Sequence, residues 1–331
     1  MTRRMIQMEH SKISHCCSMS RSDIVQIPAD SKLEEVFHAL LSEKVESGNK
    51  QIYIPGGSFF MGTKDKEGYP DDGEGPVRKV TVDPFYMDVH TVTNAGFQNF
   101  VNDTAYITES ERFGWSFVFY QFVSDKTKRK VKQVVQQTPW WLVVQGASWK
   151  HPEGPDSSIE DRMDHPVVQV SWNDVQAYCK WAGKRLPTEA EWEFAARGGF
   201  EHKKFPWGDE LNPNGEHLCN VWQGEFPKTN TEEDGYKGTA PAESFPANGY
   251  GLYNVVGNVW EWCSDWFARS VRNRGGRNNP KGPKSGEFRI MRGGSYLCHH
   301  SYCNRYRVAA RSKNSPDSAS GNIGFRCVTD V

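Results

Sequence analysis

The run Trp181-Ala182-Gly183-Lys184-Arg185-Leu186-Pro187-Thr188-Glu189-Ala190-Glu191-Trp192-Glu193 decides how the middle of the chain folds. Thr188 and Glu191 have Thr-x-x-Glu spacing. In such a capping box a hydroxyl takes an N–H of the first turn while the carboxylate reaches back to the cap. A helix therefore starts at Thr188, and Gly198-Gly199 stops it. On the N-terminal side, Val175, Tyr178 and Cys179 share one face of a helix expected from about Asn173 to Ala182. Further upstream, Ile52-Tyr53-Ile54-Pro55-Gly56-Gly57 and Phe59-Phe60-Met61-Gly62 read as short strands around a glycine-rich turn. Arg78 to Val82 and Phe85 to Val89 read as strands, followed by a short helix from about Asn94 to Val101. Beyond Phe200 the pattern is turns and short strands to Val331, without a long helix or a fixed-period repeat.

Composition supports the same picture. The 331 residues are 37% hydrophobic and 13% aromatic, enough to bury a sizeable core, and 30 Gly, 18 Pro and 12 Trp describe many turns with aromatic packing between them. The expected fold is α+β, a single loop-rich domain with low regular secondary structure. Forty Lys and Arg against 41 Asp and Glu leave no global field for nucleic acid or an anionic membrane, so no nucleic-acid partner is expected. No apolar stretch approaches the roughly 20 residues of a membrane span.

Residues 1–48 differ in character from 49–331. Met1 to about residue 30 lacks periodicity and is expected to be a tail. Ser31 and Glu34 then have capping-box spacing, and Leu33, Val36, Phe37, Leu40 and Leu41 recur at helical spacing before Gly48. That amphipathic helix is expected to pack on the main domain, the alternative being a partner docked on its apolar face. Met1 to Cys17 is too polar for the apolar core of a signal peptide. Even cysteine number, eight in all, and the Asn102-Asp103-Thr104 glycosylation sequon nevertheless point to the endoplasmic reticulum lumen or secretion, with a cytoplasmic location as the alternative.

Cys298 and Cys303 are the candidate chemical pair. They lie inside Arg292-Gly293-Gly294-Ser295-Tyr296-Leu297-Cys298-His299-His300-Ser301-Tyr302-Cys303-Asn304-Arg305-Tyr306-Arg307. Cys-x4-Cys is wider than the spacing of zinc knuckles, and no second thiol pair accompanies it, so tetrahedral zinc is poorly supported. Three readings stay open: a structural disulfide, a thiolate grip on a soft ion such as Cu(I), or two free thiols. Arg292, Arg305, Arg307 and Arg311 would lower the thiol pKa if they lie close by. Asn220, Asp234, Asn254 and Glu261 form an oxygen-rich set in glycine-rich loops. It fits turn formation, and also hard cations, although its spacing matches no 12-residue calcium loop.

The chain resembles the formylglycine-generating enzymes, copper oxidases that activate sulfatases, from about Gln51 to Val331. The landmarks are Pro55-Gly56-Gly57-Ser58-Phe59-Phe60-Met61-Gly62, Pro139-Trp140-Trp141, His165-Pro166-Val167, Val170-Ser171-Trp172, the Trp181–Glu193 block, Phe205-Pro206-Trp207-Gly208, Gly257-Asn258-Val259-Trp260-Glu261-Trp262 and Asn322-Ile323-Gly324-Phe325-Arg326-Cys327. The resemblance implies a duplicated C-type-lectin-like, sulfatase-modifying-factor fold. The Arg185–Glu193 and Gly257–Trp262 blocks are shared with non-catalytic paralogues and with iron-dependent sulfoxide synthases. Cys298 and Cys303, with Ser295 before them, narrow the likeness to the oxidase.

By this resemblance, Cys298 and Cys303 hold Cu(I) and a Cys-x-Pro-x-Arg cysteine of an unfolded sulfatase polypeptide joins as a further thiolate. With O2 and a thiol reductant, that cysteine becomes Cα-formylglycine. Ser295 is implied beside the oxygen pocket, and Trp260, His299, Tyr302 and Asn322 along the peptide groove. Two structural Ca²⁺ sites are implied, one from Asn220 and Asp234 with the carbonyls of Val221 and Tyr236, the other from Asn254 and Glu261 with those of Gly257 and Val259. A Cys179–Cys327 disulfide is implied, whereas a second family bridge is lost at Ala196 and Val308. Cys219 and Cys263 are extra to the pattern. Cys16 and Cys17 stand where animal homologues carry a Cys-x-Cys used with redox or retention partners. The competing expectations are a catalytically silent sulfatase-binding module, with Cys298–Cys303 as a plain disulfide, and an iron sulfoxide synthase.

Overall fold

The structure, a computed structural model, describes residues 50–331. The expected tail, the amphipathic helix and Cys16 and Cys17 lie outside the described residues.

Five short helices are present among the described residues: α1 (Asn94–Thr104), α2 (Glu109–Phe113), α3 (Asp125–Lys128), α4 (Trp172–Ala182) and α5 (Glu189–Ala196). α5 starts at the expected capping box, with the Thr188 hydroxyl accepting from Glu191 N and the Glu191 carboxylate from Thr188 N. α4 has its own box between Ser171 and Asp174. α2 was not foreseen, although Thr108 and Glu111 carry the same signature.

The strands are short and spread over several small sheets. Gln51–Ile54, Phe85–Asp88 and Val328–Asp330 form an antiparallel sheet that joins the start of the described region to the end of the chain. Trp115–Phe119 and Thr138–Gln145 pair as an unforeseen hairpin-like unit with Val134–Val135. The sheet that carries the candidate site orders Ser312–Asn314, Arg289–Arg292, Trp260–Trp266 and Ile323–Gly324, the last strand being parallel. The Gly257–Trp262 motif thus lies against both the strand leading to Cys298 and the Asn322–Cys327 segment.

The main core gathers Phe97, Tyr178, Leu186, Trp192, Trp260, Trp262 and Phe325 together with both candidate cysteines. Ala196 and Val308, where the second bridge is missing, are buried apolar members of it. Removing both thiols therefore leaves apolar packing rather than unsatisfied polar groups.

Candidate functional site

The strand Arg289–Arg292 ends in Gly293-Gly294, both with positive φ. A Cβ on Gly294 would stand 2.9 Å from the Arg305 carbonyl, so glycine lets the outgoing turn lie against the returning chain. The turn is closed by Cys298 N donating to the Ser295 carbonyl and Cys303 N to the His299 carbonyl, each at 2.8 Å. This brings Cys298 Sγ and Cys303 Sγ to 2.7 Å, both fully buried. From Ile290 to Ser312 every residue is buried except His299, His300, Ser301, Tyr302 and Asn304.

Ser295 and Asn322 meet beneath the turn. Asn322 Nδ2 donates to Ser295 Oγ at 3.0 Å, Ser320 Oγ donates to Asn322 Oδ1 at 2.7 Å, and Leu297 N donates to Ser295 Oγ at 3.3 Å. Trp260 N donates to the Asn322 carbonyl at 2.9 Å. Trp260 and Asn322 are both fully buried, so of the four residues expected along a peptide groove only His299 and Tyr302 reach solvent. Tyr302 stacks on Phe226 with ring centroids 4.3 Å apart and meets Trp140 edge-on at 5.1 Å. Phe226 was not read from the sequence because it sits in a hairpin that carries no periodic signal.

A strap missed by sequence reading holds the turn from the other side. Tyr69 Oη donates to the Tyr302 carbonyl at 2.7 Å, Arg305 Nε donates to Asp72 Oδ2 at 2.5 Å, and both Glu74 oxygens accept from Arg307 at 2.6 and 2.7 Å. Arg292 pairs with Glu189 and Glu193, and Arg311 with Glu189. Each of the four arginines expected to acidify the thiols is thus buried against a carboxylate, which neutralises most of its field at the sulfurs. Burial pushes the Glu189 carboxyl up, but Arg311 and Arg292 hold it down at about 2.

Asp234 and Asn220 come together with the Val221 backbone. Asp234 accepts from Val221 N at 3.1 Å and from Tyr236 N at 3.0 Å. Gln223 Nε2 donates to both the Val221 carbonyl and Asp234 Oδ2, so an amide donor sits between two of the oxygens expected to face a cation. Asn220 Oδ1 and Gln223 Oε1 are buried and have no hydrogen-bond donor. In the second set, Asn254 Oδ1 is likewise buried without a donor, while Glu261 already accepts from Arg326 through both oxygens and from Trp192 Nε1.

Cys179 on α4 and Cys327 at the C-terminal strand are buried with sulfurs 3.6 Å apart, and burial raises the Cys327 thiol well above its ordinary value. Cys219 and Cys263 are buried separately, with no sulfur–sulfur contact joining them. Asn102 is exposed in the last turn of α1. Among the described residues there is no group of three or more His, Cys, Asp or Glu side chains that could hold a metal. No helix among the described residues is long and apolar enough to cross a membrane.

Two buried thiols thus meet on one turn of a loop-rich α+β scaffold. The chain belongs to the family described by the sulfatase-modifying factor enzyme 1-like domain, which matches residues 36–331. It is 58% identical over 282 residues to the formylglycine-generating enzyme of Bos taurus, covering 85% of this chain and 75% of that protein. To an inactive C-alpha-formylglycine-generating enzyme 2 of the same organism it is 46% identical over 306 residues, covering 90% and 95%. The solved structure of PvdO from Pseudomonas aeruginosa shares the fold, with a TM-score of 0.64 at 24% identity over 88% of this chain and 97% of that one.

Proposed function

We propose that this chain oxidises the cysteine of a Cys-x-Pro-x-Arg segment in unfolded sulfatase polypeptides to Cα-formylglycine, using O2 and a thiol reductant. The observation that carries the reading is the pair of sulfurs 2.7 Å apart, fully buried beneath an exposed turn, in a chain 58% identical to a formylglycine-generating enzyme. The balance is one substrate thiol plus dioxygen plus two reductant thiols, giving one aldehyde, hydrogen sulfide, water and one reductant disulfide. The substrate loses two electrons and two protons, one proton from the β-carbon and one from its thiol, to become a thioaldehyde, and water then replaces the sulfur, which leaves as hydrogen sulfide.

The donor set fits Cu(I). Two cysteine sulfurs side by side are soft donors that suit a d10 ion and could be joined by a third sulfur from the substrate. Bound there, copper would supply the electrons that thiols alone do not readily pass to dioxygen. The protein's own residues do the rest. Cys298 and Cys303 hold the donor sulfurs away from water. Ser295 Oγ, fixed by Asn322, offers a hydroxyl beside the turn, and Tyr302 with Phe226 and Trp140 provides a flat aromatic surface that suits the proline of the substrate motif.

The Asn220, Val221, Asp234 and Tyr236 set fits structural Ca²⁺ in that it combines a carboxylate with one buried oxygen, Asn220 Oδ1, that lacks a donor, provided Gln223 Nε2 turns away from Val221 and Asp234. The Asn254, Gly257, Val259 and Glu261 set fits less well, since Arg326 already neutralises Glu261. The close Cys179–Cys327 approach and the exposed Asn102 favour an oxidising, glycosylating compartment such as the endoplasmic reticulum lumen. A silent sulfatase-binding module is the second reading, favoured by the 46% identical inactive relative.

Mass spectrometry of a Cys-x-Pro-x-Arg peptide, incubated in air with the protein, tests the reading. Copper-dependent conversion to the aldehyde is expected in the presence of a thiol reductant. Binding without conversion would favour the silent module.

A further inference from the structure

The stretch Arg269 to Glu287 carries six Lys or Arg against Glu287 alone, in a chain whose net charge is -1. Arg274 is buried, with Nε donating to the Ala268 carbonyl at 2.9 Å and Nη2 to the Gly73 and Arg269 carbonyls. Arg269 pairs with Asp71 at 2.9 Å. The remaining four, Arg272, Arg277, Lys281 and Lys284, are exposed, and none lies within ion-pair distance of a carboxylate among the described residues. The other basic run, Lys126 to Lys132, differs in that Lys126 and Lys128 are matched by Asp156 and Asp125.

The loop is pinned to its neighbours. Thr81 N donates to the Arg277 carbonyl and Asn279 N to the Thr81 carbonyl, each at 2.8 Å, while Asn279 Nδ2 donates to Asp83 at 2.7 Å. A fixed backbone lowers the entropy lost when its cations take a partner. The loop also adjoins the candidate site. Arg269 Nε donates to the Pro70 carbonyl at 3.1 Å, and the neighbouring Tyr69 donates to the Tyr302 carbonyl at 2.7 Å. Tyr302, Tyr69, Pro70, Asp71 and Arg269 all reach solvent, so an exposed route joins the aromatic surface to the basic loop. Between Arg269 and Glu287 there is no Phe, Tyr or Trp to stack on bases, which favours an acidic polypeptide over a single-stranded nucleic acid.

We propose that Arg272, Arg277, Lys281 and Lys284 form an exosite for acidic side chains of the substrate polypeptide that flank its Cys-x-Pro-x-Arg segment. This rests on the oxidation reading above and adds to it a preference for substrate charge. Contacts remote from the reacting cysteine are made equally before and during reaction, so the exosite lowers KM and leaves kcat unchanged.

Labelled Cys-x-Pro-x-Arg peptides test this, extended before the cysteine or after the arginine by a block of Glu or by an equal block of Gln. Fluorescence anisotropy with the full-length protein under nitrogen gives Kd, and conversion in air gives kcat and KM. At least one Glu peptide should bind about tenfold tighter than its Gln twin, the equivalent of about 1.4 kcal/mol. KM should fall by the same factor, with kcat within about twofold. Arg272→Gln/Arg277→Gln/Lys281→Gln/Lys284→Gln, changed at exposed positions only, should lose the preference while handling the Gln peptides as wild type does. Wild type in NaCl at about 1 M, where the Debye length is about 3 Å, should lose it too. Equal Kd values for the Glu and Gln peptides in wild type, or a preference that survives in the variant, would overturn the exosite and leave the oxidation standing. A preference for Glu without conversion of any peptide would uphold the basic surface and overturn the oxidation. An oligothymidylate of equal charge that binds wild type as tightly as the Glu peptide and displaces it would refute a polypeptide exosite.

Discussion

Replacing Asp72 by Ala should unfold the site from beneath. Asp72 is almost fully buried and accepts from Arg305 Nε at 2.5 Å, and its backbone carbonyl accepts from Arg311 at 2.7 Å. Arg305 is itself fully buried, two residues after Cys303. Burial pushes the Asp72 carboxyl up by more than Arg305 pulls it down, so the pair only partly offsets the cost of desolvating its charges. Removing one partner is therefore far worse than removing both. The single change strips a buried guanidinium of its carboxylate and should cost about 3–5 kcal/mol. At about 2 °C per kcal/mol for a domain of this size, Tm should fall by roughly 6–10 °C. Asp72→Ala/Arg305→Met removes both charges and should recover more than half of that loss. Recovery remains incomplete because Arg305 also stacks over the Tyr69 ring at 4.1 Å. Scanning calorimetry of the three proteins, with peptide conversion measured well below each Tm, checks this. A Tm within about 2 °C of wild type for Asp72→Ala, or a double variant no more stable than the single, would refute the argument that this ion pair holds the cysteine turn.

Cys298→Ser and Cys303→Ser should each abolish peptide conversion while the circular dichroism spectrum and Tm stay near wild type; retained turnover in either would sink the copper assignment. Asp265 is fully buried, and its carboxyl is pushed up to about 7 by burial and by the Glu189 charge, from an ordinary 3.8. The native state thus binds the Asp265 proton more tightly than the unfolded chain does. Its contribution to stability is full below about pH 4 and is lost as pH rises to about 7. Urea titrations across that range should show a downward slope that Asp265→Asn reduces; identical slopes would contradict it. Chelating Ca²⁺ with EGTA should lower Tm, by the equivalent of about 2.7 kcal/mol if the ion had been present at 100 times its Kd, and Asp234→Asn should make the protein insensitive to the chelator.

The elements legible in the sequence were those whose signal is local. Thr188 and Glu191 announce α5 because a capping box is completed within one turn, and Arg78–Val82 was read with its bounds unchanged because alternation needs no distant partner. The same box at Thr108 and Glu111 went unread because five residues offer no periodic apolar face to support it. At the site, Cys298, Cys303 and Ser295 stood out as a cluster of reactive side chains. Asp72, Glu74 and Tyr69 did not, because their roles exist only through contacts more than 230 residues away, and an acidic residue in a glycine-rich turn reads as solvated. Arginines near a thiol in sequence were misleading for the same reason. Their carboxylates arrive from α5 and from the Tyr69–Glu74 strap, and only the folded chain shows that those charges are already matched.

This separation between what holds the turn and what reacts on it explains how one scaffold serves both an enzyme and a relative named inactive. The cysteine segment is fastened by Arg292 to Glu189 and Glu193, by Arg311 to Glu189, by Arg305 to Asp72 and by Arg307 to Glu74, all buried pairs between segments distant in sequence. Each pair is costly to break singly, so substitutions there are constrained together. Cys298 and Cys303 belong to none of them and pack as small apolar groups in the core. Exchanging two thiols for other small side chains would therefore remove the chemistry at small cost to the fold. A lineage that keeps the Arg185–Glu193 and Gly257–Trp262 blocks but loses the thiols would keep the shape of the exposed turn. The ability to bind a sulfatase segment could thus outlive the ability to oxidise it, and on the proposed function the two thiols of this chain, rather than the scaffold around them, would carry the oxidation.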